Sequence, residues 1–527
     1  MKAVAEKRVG LTYDAASQAA TLSRYANLAG TQVVAHTEYD FDLAGRLRGM
    51  EHFKGGTTFA DYDWTYDAAG RMTAFDSLVD GTAGYTNDAT GQLTGADYDY
   101  QADETYVYDE NGNRVNNGYT VGANNQMTSD GTYRYLYDAE GNRTRRFVDT
   151  NANGLPDSGD TDVTEYTWDH RNRLTGVTHR AQYGAAADMV VENSYDFANR
   201  WVRKLLDDDG DGTRDYTRVF AYDGNQIVLD FHRNGPCGMQ GGHLRERYLW
   251  GPAVDQILAE EAVNGGSAEH VLWTLTDHLN TVRDLARYVP GTDTTTVLNH
   301  LAYNAFGEVT SETNAAVDSL FLFTARPFDE DTGLQNNLNR WYDPAVGRWL
   351  SEDPIGYEAR DPNLYRYVDN RPTNSFDPLG LQVVDYPLIP CNRCHPWPGH
   401  PDWNEPPPAP TTTYCGMVSF TCCDKKTYEW PVYGNSVEAG ILTSGIGGKG
   451  CVTLGGRISC TMSCAEIKSA KAGPRSGPGY PSLDHEACHA CALLVNGLTD
   501  YVYSAVADLW DGYCKQWSNT VPTTPKW

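Results

Sequence analysis

The chain has 527 residues, enough for two to four ordinary domains with a substantial core. Its 70 Asp and Glu residues outnumber its 42 Lys and Arg residues, and a formal net charge of -28 argues against broad binding of nucleic acid. No stretch approaches the roughly 20 apolar residues that a membrane span needs. The N-terminal segment lacks the apolar core of a secretory signal, so export would require a dedicated secretion system.

A short motif repeats within residues 1–320: an aromatic residue, Asp, two variable positions, Gly, one variable position and Arg, or a close relative of this whole pattern. Copies of the motif stand at 41–47, 66–71, 108–114 and 137–143, with a degenerate copy at 168–174. An aromatic strand end, turn residues that tolerate positive φ and a return strand predict a β-hairpin. Many hairpins side by side predict a mainly β sheet that must curl or close to protect its edges.

Residues 321–381 carry three specific motifs: RWYDP at 340–344, GRWLSEDPIG at 347–356 and NLYRY at 363–367. Together with the repeats, this region resembles the repeat-associated core of the Rhs (YD-repeat) family. The resemblance covers roughly the first 380 residues and implies a β-sheet cocoon, or cage, around a C-terminal effector. It also implies that the core cuts its own chain after the second Asp-Pro-x-Gly-Leu, at the Leu381–Gln382 bond.

Two acids predicted to perform this cut, Asp353 and Asp377, each begin an Asp-Pro-x-Gly unit. Two neighbouring carboxyl groups can share a proton, so that one activates water while the other polarises the carbonyl group. By resemblance to the family, Arg340 is the third participant and orients a carboxylate or the scissile carbonyl. The alternative is that both units are only tight turns, since Pro presets φ and Gly takes the left-handed position.

The composition changes abruptly after Leu381. Residues 382–527 hold eleven of the twelve cysteines, and their 10 Lys and Arg nearly balance 12 Asp and Glu, so almost all the net charge precedes the join. Prolines mark 382–412 as an extended linker. The cysteine density of 413–527 predicts a small disulfide-rich α+β domain that needs an oxidising destination, and its connectivity stays open.

Two acidic segments have the alternating oxygen spacing that surrounds calcium, with a Gly for the sharp turn. Both lack the distal Glu of a full EF-hand and resemble the shorter calcium loops of dockerins and thrombospondin repeats. The alternative is a solvated acidic hairpin tip in each case. The predicted calcium ligands are Asp207, Asp209, Asp211 and Asp215 in one loop, and Asp149, Asn151, Asn153 and Asp157 in the other.

The sequence has one His-Glu-x-x-His motif, at 485–489, on a helix predicted over 482–496. The i, i+4 spacing places His485 and His489 on one face, where they can share a zinc ion, and Glu486 lies beside them as a base for the bound water. This pattern indicates a zinc metallopeptidase. The alternative is a surface helix with coincidental histidines.

A third zinc ligand is expected after the helix. The segment at 497–503 resembles the Gly-Thr-x-Asp-x-x-Tyr segment of deuterolysin-like (aspzincin) metallopeptidases, although Leu498 interrupts it. That resemblance implies Asp500 as the third ligand and Tyr503 as the group that stabilises the oxyanion. Asp508 is the competing third ligand, at a spacing closer to that of the gluzincins.

The sequence therefore predicts a toxin of bacterial competition: a self-cleaving cage that releases a zinc metallopeptidase into a target cell or its envelope. The expected partners are a target-cell protein substrate, an immunity protein and a delivery system. The alternative is a secreted or surface YD-repeat binding protein with a non-catalytic cystine-rich module. A nuclease is disfavoured because 382–527 contains neither a basic patch nor a recognisable nuclease constellation.

Overall fold

The computed structural model describes residues 7–235, 239–264 and 267–385, together with the backbone of four later strands. The chain divides into two compact units, with the boundary between Cys391 and Asn392. This boundary falls within the predicted linker 382–412. The described residues are mainly β, as predicted, and all their strand pairings are antiparallel.

The first sheet has nine strands in chain order, each paired with the next along the sequence. Its strands are β1 (Arg8–Tyr13), β2 (Ala19–Tyr25), β3 (Val33–Phe41), β4 (Leu47–Lys54), β5 (Thr57–Tyr66), β6 (Met72–Ser77), β7 (Gly81–Asn87), β8 (Leu93–Tyr98) and β9 (Glu104–Thr105).

The second sheet has sixteen strands, again in chain order. Its first half comprises β10 (Tyr119–Val121), β11 (Met127–Asp130), β12 (Arg134–Tyr137), β13 (Arg143–Val148), β14 (Thr161–Trp168), β15 (Leu174–Gln182), β16 (Met189–Tyr195) and β17 (Trp201–Asp207). Its second half comprises β18 (Tyr216–Asp223), β19 (Gln226–Asn234), β20 (Leu244–Trp250), β21 (Ile257–Asn264), β22 (Ser267–Thr276), β23 (Val282–Val289), β24 (Thr294–Tyr303) and β25 (Val309–Glu312).

The repeat motifs form the hairpin turns that the sequence predicts. In the turn between β14 and β15, Asp169 Oδ1 accepts hydrogen bonds from the N–H groups of Arg171 and Arg173, and the Arg173 guanidinium pairs with Asp169 Oδ2 at 2.6 Å. The same guanidinium donates to the Asp196 carbonyl, in the next hairpin turn, at 2.9 Å. Each repeat of this kind therefore closes its own turn and ties it to its neighbour.

The core segment 321–381 forms short strands and 3-10 turns. The strands are β26 (Phe328–Asp329), β27 (Leu334–Asn337), β28 (Arg340–Asp343), β29 (Arg348–Trp349) and β30 (Ser375–Phe376), with β31 (Val384–Asp385) pairing with β30. The 3-10 turns of this segment occupy Phe323–Ala325, Gly356–Ala359 and Val368–Asn370. Two further 3-10 turns, Ala123–Asn125 and Gly241–His243, lie between strands of the second sheet.

The core segment packs against the second sheet through one large apolar cluster. Trp341 and Leu350 of the segment lie with Trp201, Phe220 and Tyr248 of the sheet, and all five side chains are buried. The Trp341 and Trp201 rings meet edge to face at 5.2 Å. Burying such aromatic side chains contributes roughly 2 kcal/mol each, so the segment forms one folding unit with the shell.

The second unit is described only as backbone. Its strands form two antiparallel pairs, β32 (Thr412–Thr421) with β33 (Thr427–Asn435) and β34 (Val452–Leu454) with β35 (Arg457–Ser459). The predicted helix over 482–496 lies outside the described residues. Across the described part of the chain, no helix is long and apolar enough to cross a membrane.

A buried ionic network joins the two sheets. His300 on β24 bonds Asp284 on β23 through Nδ1 and Asp80, after β6, through Nε2, both at 2.7 Å. Arg283 also pairs with Asp80, at 2.5 Å. Burial lowers the pKa of His300, but hydrogen bonds and charge from Asp284 and Asp80 outweigh it and raise this pKa to about 9. The imidazolium form is therefore the one that bridges the sheets.

The substitution His300→Gln tests this network. Because folding raises the His300 pKa, its stabilisation is fully present below the unfolded value near 6.5 and disappears as pH rises through about 9. We expect the variant to lose about 2 kcal/mol at pH 6 and much less at pH 9.5. Unfolding midpoints of both proteins at the two pH values measure the difference, and a pH-independent gap would contradict the charged bridge.

Candidate active site

The two Asp-Pro-x-Gly units form the tight turns that their sequence predicts. Asp353 Oδ1 accepts the Ile355 N–H at 3.0 Å, and Asp377 Oδ1 accepts the Leu379 and Leu381 N–H groups at 3.3 and 3.1 Å. Gly380 has a φ of 64°, and an added Cβ would lie 2.6 Å from the Asn337 carbonyl oxygen, so only glycine fits there. Both units thus form tight turns, and each turn leaves the second oxygen of its aspartate available for another partner.

Those second oxygens meet at one guanidinium. Arg340 Nη2 lies 2.9 Å from Asp353 Oδ2 and 3.2 Å from Asp377 Oδ2, and the three side chains are buried. The guanidinium also stacks on the Trp349 ring, 4.1 Å from its centroid. The structure therefore brings together the three residues that the sequence predicts for the cut.

Burial governs the charge state of this cluster. Burial raises the pKa of Asp377, while Arg340 and three backbone N–H groups, those of Leu381, Gln382 and Leu379, oppose the rise. Burial also raises the pKa of Asp353, where Arg340 and the Ile355 N–H act in the opposite direction. One guanidinium balances one carboxylate, so a proton on the other acid is electrostatically favoured.

The predicted scissile bond lies beside these acids. Leu381 and Gln382 line the same small cavity as Arg340, Asp353 and Asp377. Arg340 Nε donates to the Gly380 carbonyl at 2.6 Å, which fixes the backbone just before the bond. Beyond it, β31 pairs with β30, so the chain is held on both sides of Leu381–Gln382.

Two contributors to the site carry no signal in the sequence motifs. Asn337 Nδ2 donates to the Asp377 carbonyl at 2.6 Å and holds the second turn in place. Asp361 lines the cavity and pairs with Arg366 at 2.8 Å. Neither residue belongs to the paired Asp-Pro-x-Gly pattern, so only the tertiary structure could reveal their proximity.

The first predicted calcium loop brings three of its four acids together. Ligand atoms of Asp207, Asp209 and Asp215 all lie within 4.8 Å of one another, and Asp211 is not part of this group. Asp211 Oδ1 instead accepts the Thr213 N–H at 2.6 Å. Asp211 thus serves the local turn.

The second predicted calcium loop closes through its own hydrogen bonds. Asp149 accepts the N–H groups of Asn153 and Gly154 at 3.2 and 2.8 Å, and the Asn151 and Asn153 side-chain amides both donate to Asp157 Oδ2. Calcium at this loop stays a prediction. The predicted zinc site at His485, Glu486 and His489, with Asp500, Tyr503 and the alternative ligand Asp508, lies outside the described residues.

Comparisons with known proteins match the shell. Residues 265–373 match the Teneurin YD-shell family model. The "Probable deoxyribonuclease RhsB" of Dickeya dadantii is 27% identical over 376 residues, covering 65% of this chain and 24% of that protein. The "Toxin protein Tse5" of Pseudomonas aeruginosa is 25% identical over 395 residues, covering 66% of this chain and 28% of that protein. The chain thus spans about a quarter of the length of these relatives.

A solved structure shares the fold. The Tc holotoxin pore of Photorhabdus luminescens superimposes with a TM-score of 0.52 at 20% identity, over 71% of this chain and 19% of that chain. Together with the family model and the relatives, this likeness supports a YD-repeat shell of the Rhs kind, as the sequence motifs indicate.

The substitution Arg340→Leu tests the electrostatic role of the guanidinium. Without it, two buried carboxyl groups lose their shared cation, and the variant should lose about 3 kcal/mol at pH 7. Folding then raises both carboxyl pKa values further, so the variant becomes relatively more stable as pH falls toward 4.5 and the acids take up protons. Unfolding midpoints at the two pH values provide the measurement. Equal losses at both would contradict this account.

Proposed function

We propose that this chain is a polymorphic toxin whose shell cleaves the Leu381–Gln382 bond and thereby releases the C-terminal domain from its covalent attachment. The observation that carries the proposal is the meeting of Asp353, Asp377 and Arg340 beside that bond. The named toxins and nucleases among the relatives support a toxin in general terms.

The mechanism follows from the positions of the two acids. We assign the role of the ionised partner to Asp377, because it accepts more backbone N–H groups than Asp353, including that of Gln382. Asp377 takes a proton from water as the water oxygen attacks the Leu381 carbonyl carbon, and protonated Asp353 polarises the carbonyl oxygen. Asp377 then passes the proton to the Gln382 nitrogen as the C–N bond breaks. The products are a Leu381 carboxylic acid, which keeps the second proton of the water, and a Gln382 amine; transfer of that proton to the amine gives the carboxylate and the ammonium.

Amide substitutions of the two acids test the cleavage. Asn can neither accept the proton from water nor supply one, so Asp353→Asn and Asp377→Asn should each leave one intact chain of 58.3 kDa. The unsubstituted protein should give two fragments in a denaturing gel, with intact masses that place the cut after Leu381.

Asp369→Asn is the matched control for these variants. Asp369 lies in the same core segment with a φ of 56°, a conformation that Asn tolerates, and it pairs with Arg371 and Arg366 at 3.1 and 3.3 Å rather than with Arg340. The control should cleave as fully as the unsubstituted protein. If both dyad variants still release fragments ending at Leu381, the assignment of these acids is wrong.

For the released domain, we propose a zinc metallopeptidase that acts on a protein of the target cell or its envelope. The proposal rests on the spacing of His485, Glu486 and His489. Zinc, when bound, would make a coordinated water acidic near neutral pH. Glu486 would take that proton, and Tyr503 would stabilise the oxyanion. An immunity protein and a delivery system remain the proposed partners.

Substitutions in the motif separate catalysis from metal binding. Glu486→Gln should retain zinc and lose at least about 100-fold in peptidase activity, because a general base contributes 10² to 10⁴ in rate. His485→Ala should lose both the metal and the activity. Zinc content and cleavage of a peptide panel by the released domain provide the two measurements.

Separate experiments test the third zinc ligand and the alternative function. Asp500→Ala should lower zinc content if Asp500 completes the site, and Asp508→Ala should do so instead if the gluzincin-like spacing applies. Toxicity of the released domain that survives Glu486→Gln unchanged would exclude the peptidase. Absence of zinc from the purified protein would favour the YD-repeat binding protein with a cystine-rich module.

A further inference from the structure

The loop between β17 and β18 brings three carboxylates together, and one of them, Asp207, has a buried oxygen atom without a hydrogen-bond partner. Asp207 ends β17 and is 1% exposed. Its Oδ2 accepts the Gly212 N–H at 2.9 Å and lies 3.6 Å from Arg214 Nη1. Its Oδ1 is fully buried and accepts no hydrogen bond. A buried carboxylate oxygen without a donor is costly, and a bound cation is one of the few ways to compensate it.

The same loop supplies further oxygen ligands. Carboxylate oxygens of Asp209 and Asp215 lie within 4.8 Å of the Asp207 ligand atom and of each other. Asp209 and Asp215 also anchor the loop backbone, because they accept the N–H groups of Asp211 and Asp208 at 3.1 and 3.0 Å. Three carboxylates around one point repel each other unless a cation lies between them.

The loop is positioned by the fold. Gly210 has a φ of 70°, and an added Cβ there would lie 2.0 Å from the Ala187 carbonyl oxygen. The loop therefore packs tightly on the turn between β15 and β16, in a conformation that only glycine allows. A fixed arrangement of this kind reduces the ordering cost of binding an ion.

We propose that Asp207, Asp209 and Asp215 bind one calcium ion. Oxygen ligands and a flexible shell completed by backbone carbonyl groups and water suit calcium better than magnesium, which demands a near-ideal octahedron. Three carboxylates without the bidentate Glu of an EF-hand correspond to an affinity of about 10⁻⁵ to 10⁻³ M, which extends into the range of extracellular modules. A site with this affinity would be occupied at the calcium concentrations found outside cells.

The ion would stabilise the part of the sheet that holds the core segment. Lys204, three residues before Asp207 on β17, pairs with Asp329 and Asp331 of the core segment. Calcium at the end of β17 would hold this strand in place close to its ion pairs with the core segment. The proposal is independent of the cleavage chemistry, since it concerns the stability of the shell.

Calorimetric titration of calcium chloride into the chelator-treated, desalted full chain tests the proposal. We expect saturable binding, a thermal midpoint that rises with calcium concentration, and a much weaker response to magnesium chloride. Asp207→Asn should reduce calcium affinity about 10-fold or more. Asp209→Asn, at an exposed position less prone to folding defects, should also reduce it, by about 5-fold.

Asp223→Asn is the matched control. Asp223 is the exposed last residue of β18 and lies outside both predicted calcium loops, so its substitution should change calcium affinity less than about 2-fold. The proposal is overturned if the folded protein shows no saturable binding up to about 10 mM calcium. It is also overturned if Asp207→Asn and Asp209→Asn bind as tightly as the unsubstituted chain, or if Asp149→Asn in the second loop abolishes binding while Asp207→Asn does not.

Discussion

The shell depends on the aspartate and the arginine of its repeated hairpin turns. The aspartate accepts the hydrogen bonds that close a hairpin, and the arginine attaches that hairpin to the next one. In the repeat at Asp67, the carboxylate accepts the N–H groups of Ala69 and Arg71, and the Arg71 guanidinium pairs with it at 2.6 Å. The same guanidinium reaches the Asp88 carbonyl of the following turn at 2.6 Å. Each surface ion pair alone contributes little, but the repetition gives a sheet whose neighbours in sequence are neighbours in space.

The core segment depends on that sheet for its position, and the candidate active site depends on the core segment. Arg340 begins β28, and the next residue, Trp341, donates its indole N–H to the Tyr195 hydroxyl at 2.8 Å. At the other end of β28, Asp343 pairs with buried Arg143 at 2.6 Å. The strand that carries Arg340 is thus fixed at both ends by distant parts of the shell, so the proposed cleavage would depend on these long-range contacts.

Local chemistry made the hairpins and the paired acids predictable, whereas contacts between distant residues were not. The turn residues at 168–174 identify a hairpin because Asp, Asn and Arg act within a few positions. The packing of the nine-stranded sheet against the sixteen-stranded sheet depends on contacts such as His52 Nε2 with the Thr276 carbonyl, 224 positions apart. Likewise, the spacing predicted Asp211 as a ligand beside Asp207 and Asp209, but it could not show that Asp211 is used by its own turn.

The protonation state of Asp353 and Asp377 beside Arg340 determines both the free-energy cost of burying these side chains and the chemistry that they can perform. Replacing a buried ion pair by apolar residues often leaves the stability of a protein unchanged or increases it. A gain in stability therefore does not by itself explain why these three charged side chains are buried. With both acids ionised, the three buried side chains carry one uncompensated negative charge, and burial raises the pKa of each acid. A single proton on either acid removes that charge and leaves the other acid ionised against Arg340. The state with the lowest electrostatic cost is therefore the one with an acid and a base at the same guanidinium nitrogen, which is the state that the proposed peptide hydrolysis requires.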